Sequence, residues 1–134
     1  MLDSELMEKA IEARKNAYAP YSGFRVGAAL LTADGRVYTG CNIENAAYTP
    51  TNCAERTAFF KAVSEGVRDF VAIAVVGGKG ETPDAVCTPC GVCRQVMAEF
   101  CKPDFRVLLG NAEQITAYTL DSLLPYSFSL NEER

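Results

Sequence analysis

Two short segments hold the residue types able to do chemistry: Asn52-Cys53-Ala54-Glu55-Arg56 and Thr88-Pro89-Cys90-Gly91-Val92-Cys93-Arg94. In both, a loop or strand leads into a helical pattern, where the positive end of the helix stabilises thiolates. Cys90 and Cys93 stand at i and i+3, adjacent on one helical turn, and Cys53 can supply a third sulfur. Zinc takes thiolates at ~2.3 Å in tetrahedral geometry, and three protein ligands leave one position for water, the pattern of catalytic rather than structural sites. Water activated in this way needs a base to take its proton and an acid to return it. The chain has no histidine, which excludes Ser-His-Asp triads, Cys-His pairs and histidine ligands. Glu55 is the carboxylate in position for that role. Residues i and i+2 lie ~200° apart on a regular helix. Glu55 therefore serves only if Cys53 sits at the helix edge and Glu55 leans toward the N-terminus. Arg56, three residues after Cys53, can reach the thiolate and offset the net negative charge of a metal bound by three thiolates.

The same residues admit other arrangements. Asn52 as an N-cap with Glu55 at the third helical position makes a capping box. Cys53, Cys87, Cys90 and Cys93 can close a four-sulfur structural zinc site, which would make the chain a binding module. Cys90-Gly91-Val92-Cys93 at a helix start also fits a dithiol redox protein, although that leaves Cys53-Ala54-Glu55 without a purpose. Cys41 and Cys101 read as small core residues.

The elements that must position these groups follow from periodicity and turn signals. Residues 4–18 predict an amphipathic helix with Ser4 as its N-cap. Residues 24–32 and 37–41 predict a hairpin about Asp34-Gly35. An irregular loop spans 42–52, and a second helix runs to about 65, stopped by Gly66. Residues 70–76 predict a buried strand and 77–84 a flexible glycine-rich loop. A third helix over 90–101, antiparallel strands over 105–109 and 115–120, and a helical turn at 121–124 complete the order. That order implies an α/β fold: a layered α/β/α domain with a five-stranded mixed sheet. The 134 residues, 49% apolar and 22% charged, suit a single domain spanning 1–134. There is no run of 18 apolar residues and no apolar leader-like segment near Met1, so a cytoplasmic protein is expected, with its six cysteines serving metal or redox chemistry rather than disulfides. Net charge is −4, with scattered basic residues, which favours a small-molecule partner over nucleic acid or membrane.

Taken jointly, Cys53-Ala54-Glu55-Arg56 and Pro89-Cys90-Gly91-x-Cys93-Arg94 resemble the zinc-dependent cytidine deaminase family in its short three-cysteine form. Cys41-Asn42-Ile43-Glu44-Asn45-Ala46-Ala47-Tyr48 resembles that family's ribose-binding loop, and Tyr21-Ser22-x-Phe24-x-Val26-Gly27-Ala28 matches it as well. The likeness spans roughly residues 4–128. It implies one Zn2+ per subunit on Cys53, Cys90 and Cys93. It implies hydrolytic deamination of cytidine and 2′-deoxycytidine to uridine and 2′-deoxyuridine with release of ammonia, a pyrimidine salvage reaction. Zinc-bound hydroxide would attack C4 with Glu55 as proton shuttle. Asn42 and Glu44 would bind the ribose 3′ side and the Ala54 N–H the pyrimidine O2. The Thr88 carbonyl would face the leaving amine, Phe24 would line the pocket, and Arg56 would modulate the charge on the metal. Members of this form are homotetramers, in which Tyr48 and Phe128 would reach a neighbouring subunit's site. A deaminase of another aminated nucleoside or ring is the alternative. Cys87 and the 77–84 loop depart from the family pattern, and Cys87 bears on whether the fourth metal position is open.

Overall fold

Leu6, Met7, Ala10 and Arg14 share one face of α1 (Asp3–Arg14), and all four are buried. The computed structural model describes residues 1–84 and 86–130, and α1 covers one side of its sheet. Leu2, not Ser4, is the N-cap, because the Glu5 carboxylate accepts the Leu2 N–H at 2.8 Å and satisfies it from the first turn. The helix ends at Arg14, short of the predicted 18. Tyr18 is drawn instead into extended pairing, its N–H donating to Asn42 O at 3.0 Å and its carbonyl accepting from Glu44 N at 2.8 Å.

β1 (Arg25–Thr32) and β2 (Val37–Cys41) form the expected antiparallel hairpin. β3 (Phe70–Gly78) pairs antiparallel with β1 and parallel with β4 (Arg106–Gly110), and β5 (Ile115–Thr119) closes the far edge antiparallel to β4. Among the described residues this is one five-stranded mixed sheet, in the order β2-β1-β3-β4-β5. α2 (Ala54–Ser64) and α3 (Gly91–Phe100) cover the face opposite α1, and the short α4 (Leu120–Leu123) follows β5. The layered α/β/α domain expected from the element order is the fold observed.

Strand alternation divides the apolar residues between the two faces. Leu30, Ile73, Val75, Val107 and Leu109 meet α2 and α3, where Phe59 packs edge-on against Phe70 at 5.1 Å. Ala29, Ala72, Ala74, Val76 and Leu108 meet α1. The alanines let α1 lie close to the sheet, and at Gly27 the approach is closest: a Cβ there would stand 2.0 Å from Ala10 O. At Gly40 a Cβ would stand 2.4 Å from Ala54 O, so the same device seats the start of α2 against the hairpin.

The predicted glycine-rich loop is partly strand. Gly77 and Gly78 belong to β3 and pair with Val26 and Arg25, because ladder pairing continues past the last apolar side chain. Buried Arg14 then fixes the chain that follows. Its guanidinium donates to the carbonyls of Arg25 at 3.0 Å, Gly78 at 2.7 Å, Gly80 at 2.5 Å and Glu81 at 3.1 Å. The start of the segment leading to Cys87 and Cys90 is thus tied to α1 across the sheet edge.

Because a backbone atom occupies the Cβ position at residue 27, Gly27→Ala must push α1 off the sheet. Chemical denaturation is expected to show a loss of about 3 kcal/mol or more; a loss below about 1 kcal/mol would contradict the close packing.

Candidate active site

α2 and α3 begin side by side, and each start is capped by a cysteine. Cys53 is the N-cap of α2 and Cys90 that of α3, both in extended conformation, while Cys93 lies in the first turn of α3. Their sulfurs converge: Cys53 Sγ to Cys90 Sγ is 3.8 Å, Cys90 Sγ to Cys93 Sγ is 3.5 Å, and all three lie within 4.8 Å of one another. Tetrahedral zinc with bonds of ~2.3 Å requires sulfurs ~3.8 Å apart, so the donor set fits that metal in both type and spacing. The Cys93 N–H donates to Cys90 Sγ at 3.4 Å. Arg56 Nη2 donates to Cys53 Sγ at 3.1 Å, and Arg56 Nε is buried without a partner among the described residues.

With Cys53 at the N-cap, Glu55 is the second helical residue, not the third. The capping box is therefore absent, and the Asn52 amide donates to Thr57 Oγ1 at 3.2 Å instead. Cys53 does sit at the helix edge, the condition under which Glu55 can serve beside it. Glu55 is 4% exposed. Burial pushes its carboxyl up to about 7, and the negative charge of Cys53 adds to the effect. A carboxyl at that level can both accept and return a proton near neutral pH.

The thiols are not equivalent. A hydrogen bond from the Cys93 thiol, joined by the Arg56 guanidinium, holds Cys53 down at about 5. Cys93, on the other side of that bond and buried, is pushed up, and Arg56 is pushed up by its own bond to Cys53. Burial drives Cys87 up to about 12, with the charges of Glu55 and Cys53 adding to it. Cys87 is not among the clustered donors, so a closed four-sulfur site lacks its fourth sulfur. Its side chain lies instead with Phe24 over Gly77, where a Cβ would meet Cys87 Sγ and Phe24 Cε1 at 3.0 Å each.

Phe24 is thus half-buried in a wall that includes Cys87 and lies within electrostatic reach of Glu55. Ala54 is the buried first residue of α2, where the N–H has no intrahelical acceptor. Thr88 is exposed in the irregular stretch entering α3. Asn42 bridges the start of β1: Oδ1 accepts the Val26 N–H at 2.8 Å and Nδ2 donates to Phe24 O at 2.8 Å. Glu44 Oε1 accepts the Tyr21 and Ser22 N–H groups at 3.0 and 3.1 Å, and Oε2 accepts the Ser22 hydroxyl. The Ser22 hydroxyl holds the Glu44 carboxyl below its usual range, with the two backbone N–H groups adding to it. The sequence pattern names Ser22 but not its contact with Glu44; a serine two residues after a proline reads as ordinary turn chemistry. Tyr48, at φ 63°, is 78% exposed, and Phe128 is 68% exposed, its carbonyl accepting from Gln95 Nε2 on α3 at 2.9 Å.

Residues 1–109 match the family described as the cytidine and deoxycytidylate deaminase zinc-binding region. A cytidine deaminase of Halalkalibacterium halodurans is 57% identical over 129 residues, covering 95% of this chain and 94% of that one. The crystal structure of a Burkholderia pseudomallei cytidine deaminase superposes with a TM-score of 0.87 at 50% identity, covering 96% of this chain and 100% of that one. A blasticidin-S deaminase of Bacillus cereus is 32% identical over 133 residues, covering 96% of this chain and 94% of that one.

In metal-free protein at pH 7, Cys53 is thiolate and Cys87 thiol, and only the thiolate is nucleophilic. Peptide mass mapping after brief alkylation is expected to find Cys53 modified well before Cys87. Arg56→Ala should raise the pH at which Cys53 begins to react. Faster labelling of Cys87, or an Arg56→Ala profile that does not move, would contradict the electrostatics.

Proposed function

Since this chain belongs to the cytidine and deoxycytidylate deaminase zinc-binding family, we propose that it hydrolyses the C4–amine bond of cytidine and 2′-deoxycytidine, releasing uridine or 2′-deoxyuridine and ammonia. The observation that carries this reading is a buried carboxyl poised near neutrality beside three converging sulfurs. Cys53, Cys90 and Cys93 would hold one Zn2+, which when bound would supply the Lewis acidity that acidifies water.

Glu55 takes one proton from the attacking water and delivers it to N3 of the ring, so that C4 receives the oxygen and becomes tetrahedral. It then moves the second proton of that water to the departing amine; the C4–N bond breaks, and the ring keeps a carbonyl at C4 and a hydrogen at N3. The dry surroundings of Glu55 strengthen its hydrogen bonds to the tetrahedral intermediate. Arg56, bonded to Cys53, tempers the charge of the sulfurs. The Ala54 N–H holds O2, the Thr88 carbonyl accepts from the leaving amine, and Phe24 faces the ring. Asn42 and Glu44 hold the 3′ side of the sugar.

Residues 1–134 act as one catalytic unit, a reading supported by the two apolar cores that share one sheet. The exposed aromatic rings of Tyr48 and Phe128 support a homotetramer in which they complete the sites of neighbouring subunits. No helix among the described residues is long and apolar enough to cross a membrane. Six free thiols, three of them needed as ligands, suit the reducing cytoplasm. The net charge of −4 suits a free nucleoside rather than nucleic acid, and the reaction serves pyrimidine salvage. The 32% identity to a blasticidin-S deaminase supports a second reading, an aminated nucleoside antibiotic as substrate; the 57% and 50% identities favour cytidine.

Ultraviolet monitoring of cytidine loss tests the assignment. A strong chelator should abolish turnover and added zinc restore it. Glu55→Gln should keep metal and fold yet lose at least about a thousandfold in kcat, whereas Cys90→Ala should lose the metal and, with it, stability. Near-normal turnover in Glu55→Gln would remove the proton-transfer role.

A further inference from the structure

Glu44 carries more than the sequence asks of it. A carboxylate offers about four acceptor positions, and among the described residues three are filled, two by the Tyr21 and Ser22 N–H groups and one by the Ser22 hydroxyl. The direction of that hydroxyl is fixed, because the Phe24 N–H donates to Ser22 Oγ at 3.0 Å and leaves the hydroxyl proton for Glu44 Oε2. The frame around it is tied together by hydrogen bonds. Tyr18 and Ile43 form a bridge, Glu44 N–H donates to Tyr18 O, and the Asn42 amide clamps Phe24 O and Val26 N. One relay therefore runs from the backbone of Phe24, through Ser22, to the one Glu44 oxygen that still has an acceptor position free.

We propose that Ser22 is a positioning residue that orients Glu44 so that a single acceptor stays open, making this loop a receptor for one sugar hydroxyl. The proposal rests on the reading above, in which Glu44 meets the 3′ side of the sugar. A one-acceptor site takes the 3′-hydroxyl and is indifferent to the 2′-hydroxyl, so ribosides and 2′-deoxyribosides are treated alike. A sugar without the 3′-hydroxyl leaves the aimed oxygen unmatched.

The test compares 2′-deoxycytidine with 2′,3′-dideoxycytidine in the zinc-loaded protein carrying Ser22→Ala, Ser22→Cys or Ser22→Thr. Ser22→Cys keeps the volume with a weak donor, and Ser22→Thr keeps the hydroxyl. For Ser22→Ala, KM for 2′-deoxycytidine should rise about tenfold, the loss of one hydrogen bond to a charged group, with kcat changed less than about threefold. KM for the dideoxy substrate should barely move, so discrimination between the two shrinks. Ser22→Cys should follow Ser22→Ala, and Ser22→Thr should restore discrimination. Equal losses on both substrates would mean a merely structural role and would overturn the proposal, as would unchanged discrimination. Glu44→Gln separates the two failures. If it abolishes discrimination while Ser22→Ala and Ser22→Cys keep it, only the role of Ser22 falls. If Glu44→Gln itself discriminates as the parent does, the sugar-binding role of Glu44 falls, and that of Ser22 with it.

Discussion

Three sulfur atoms held within 4.8 Å by two adjacent helix starts are the constraint on which the rest of the structure turns. Unscreened, three thiolates would repel one another strongly. The fold answers this with the positive ends of α2 and α3, the Arg56 guanidinium on Cys53 and hydrogen bonds that share protons among the thiols. A divalent cation would complete the balance, and its binding would then be coupled to the integrity of this corner. The sheet supplies the platform. Leu30, Ile73, Val75 and Leu109 seat both helices on one face, and Gly40 lets α2 sit close enough for its first turn to meet that of α3.

The chemistry then follows from a contrast in environments. Cys53 lies half-exposed against a cation and ionises easily, while Glu55, two residues on, is buried and holds its proton to about neutrality. An N-cap followed by the first helical turn creates this contrast within three residues, since the cap faces the helix end and the second helical residue turns into the core. The carboxyl proposed to carry the proton is thus kept dry by the same helix that presents one of the three clustered sulfurs. Glu44 is the opposite case: a carboxylate that already accepts three hydrogen bonds, is held below its usual range and is suited to accepting one more hydroxyl rather than moving protons.

Much of this was legible in the residues. Alternating apolar strands, the Asp34-Gly35 turn and Gly66 gave the element order, and Cys53, Cys90 and Cys93 announced a common centre. What escaped notice depends on contacts made far along the chain. Pairing of Tyr18 with the 42–44 segment shortened α1, and ladder pairing with Val26 and Arg25 drew Gly77 and Gly78 into β3. Arg14 reads as the polar edge of an amphipathic helix, yet it is buried and grips four carbonyls. The capping box that would have absorbed Glu55 is removed by a shift of one residue in the N-cap, which spacing alone does not decide. Cys87 offered a fourth sulfur as the lesser alternative, and the fold puts it beside Phe24 instead.

Everything depends on a metal held by three sulfurs of this chain with a fourth position open to solvent. X-ray absorption at the zinc edge of the purified protein measures this directly. Three sulfur neighbours at ~2.3 Å and one light oxygen or nitrogen atom are expected. A shell of four sulfurs, or folded protein with no bound metal, would contradict it.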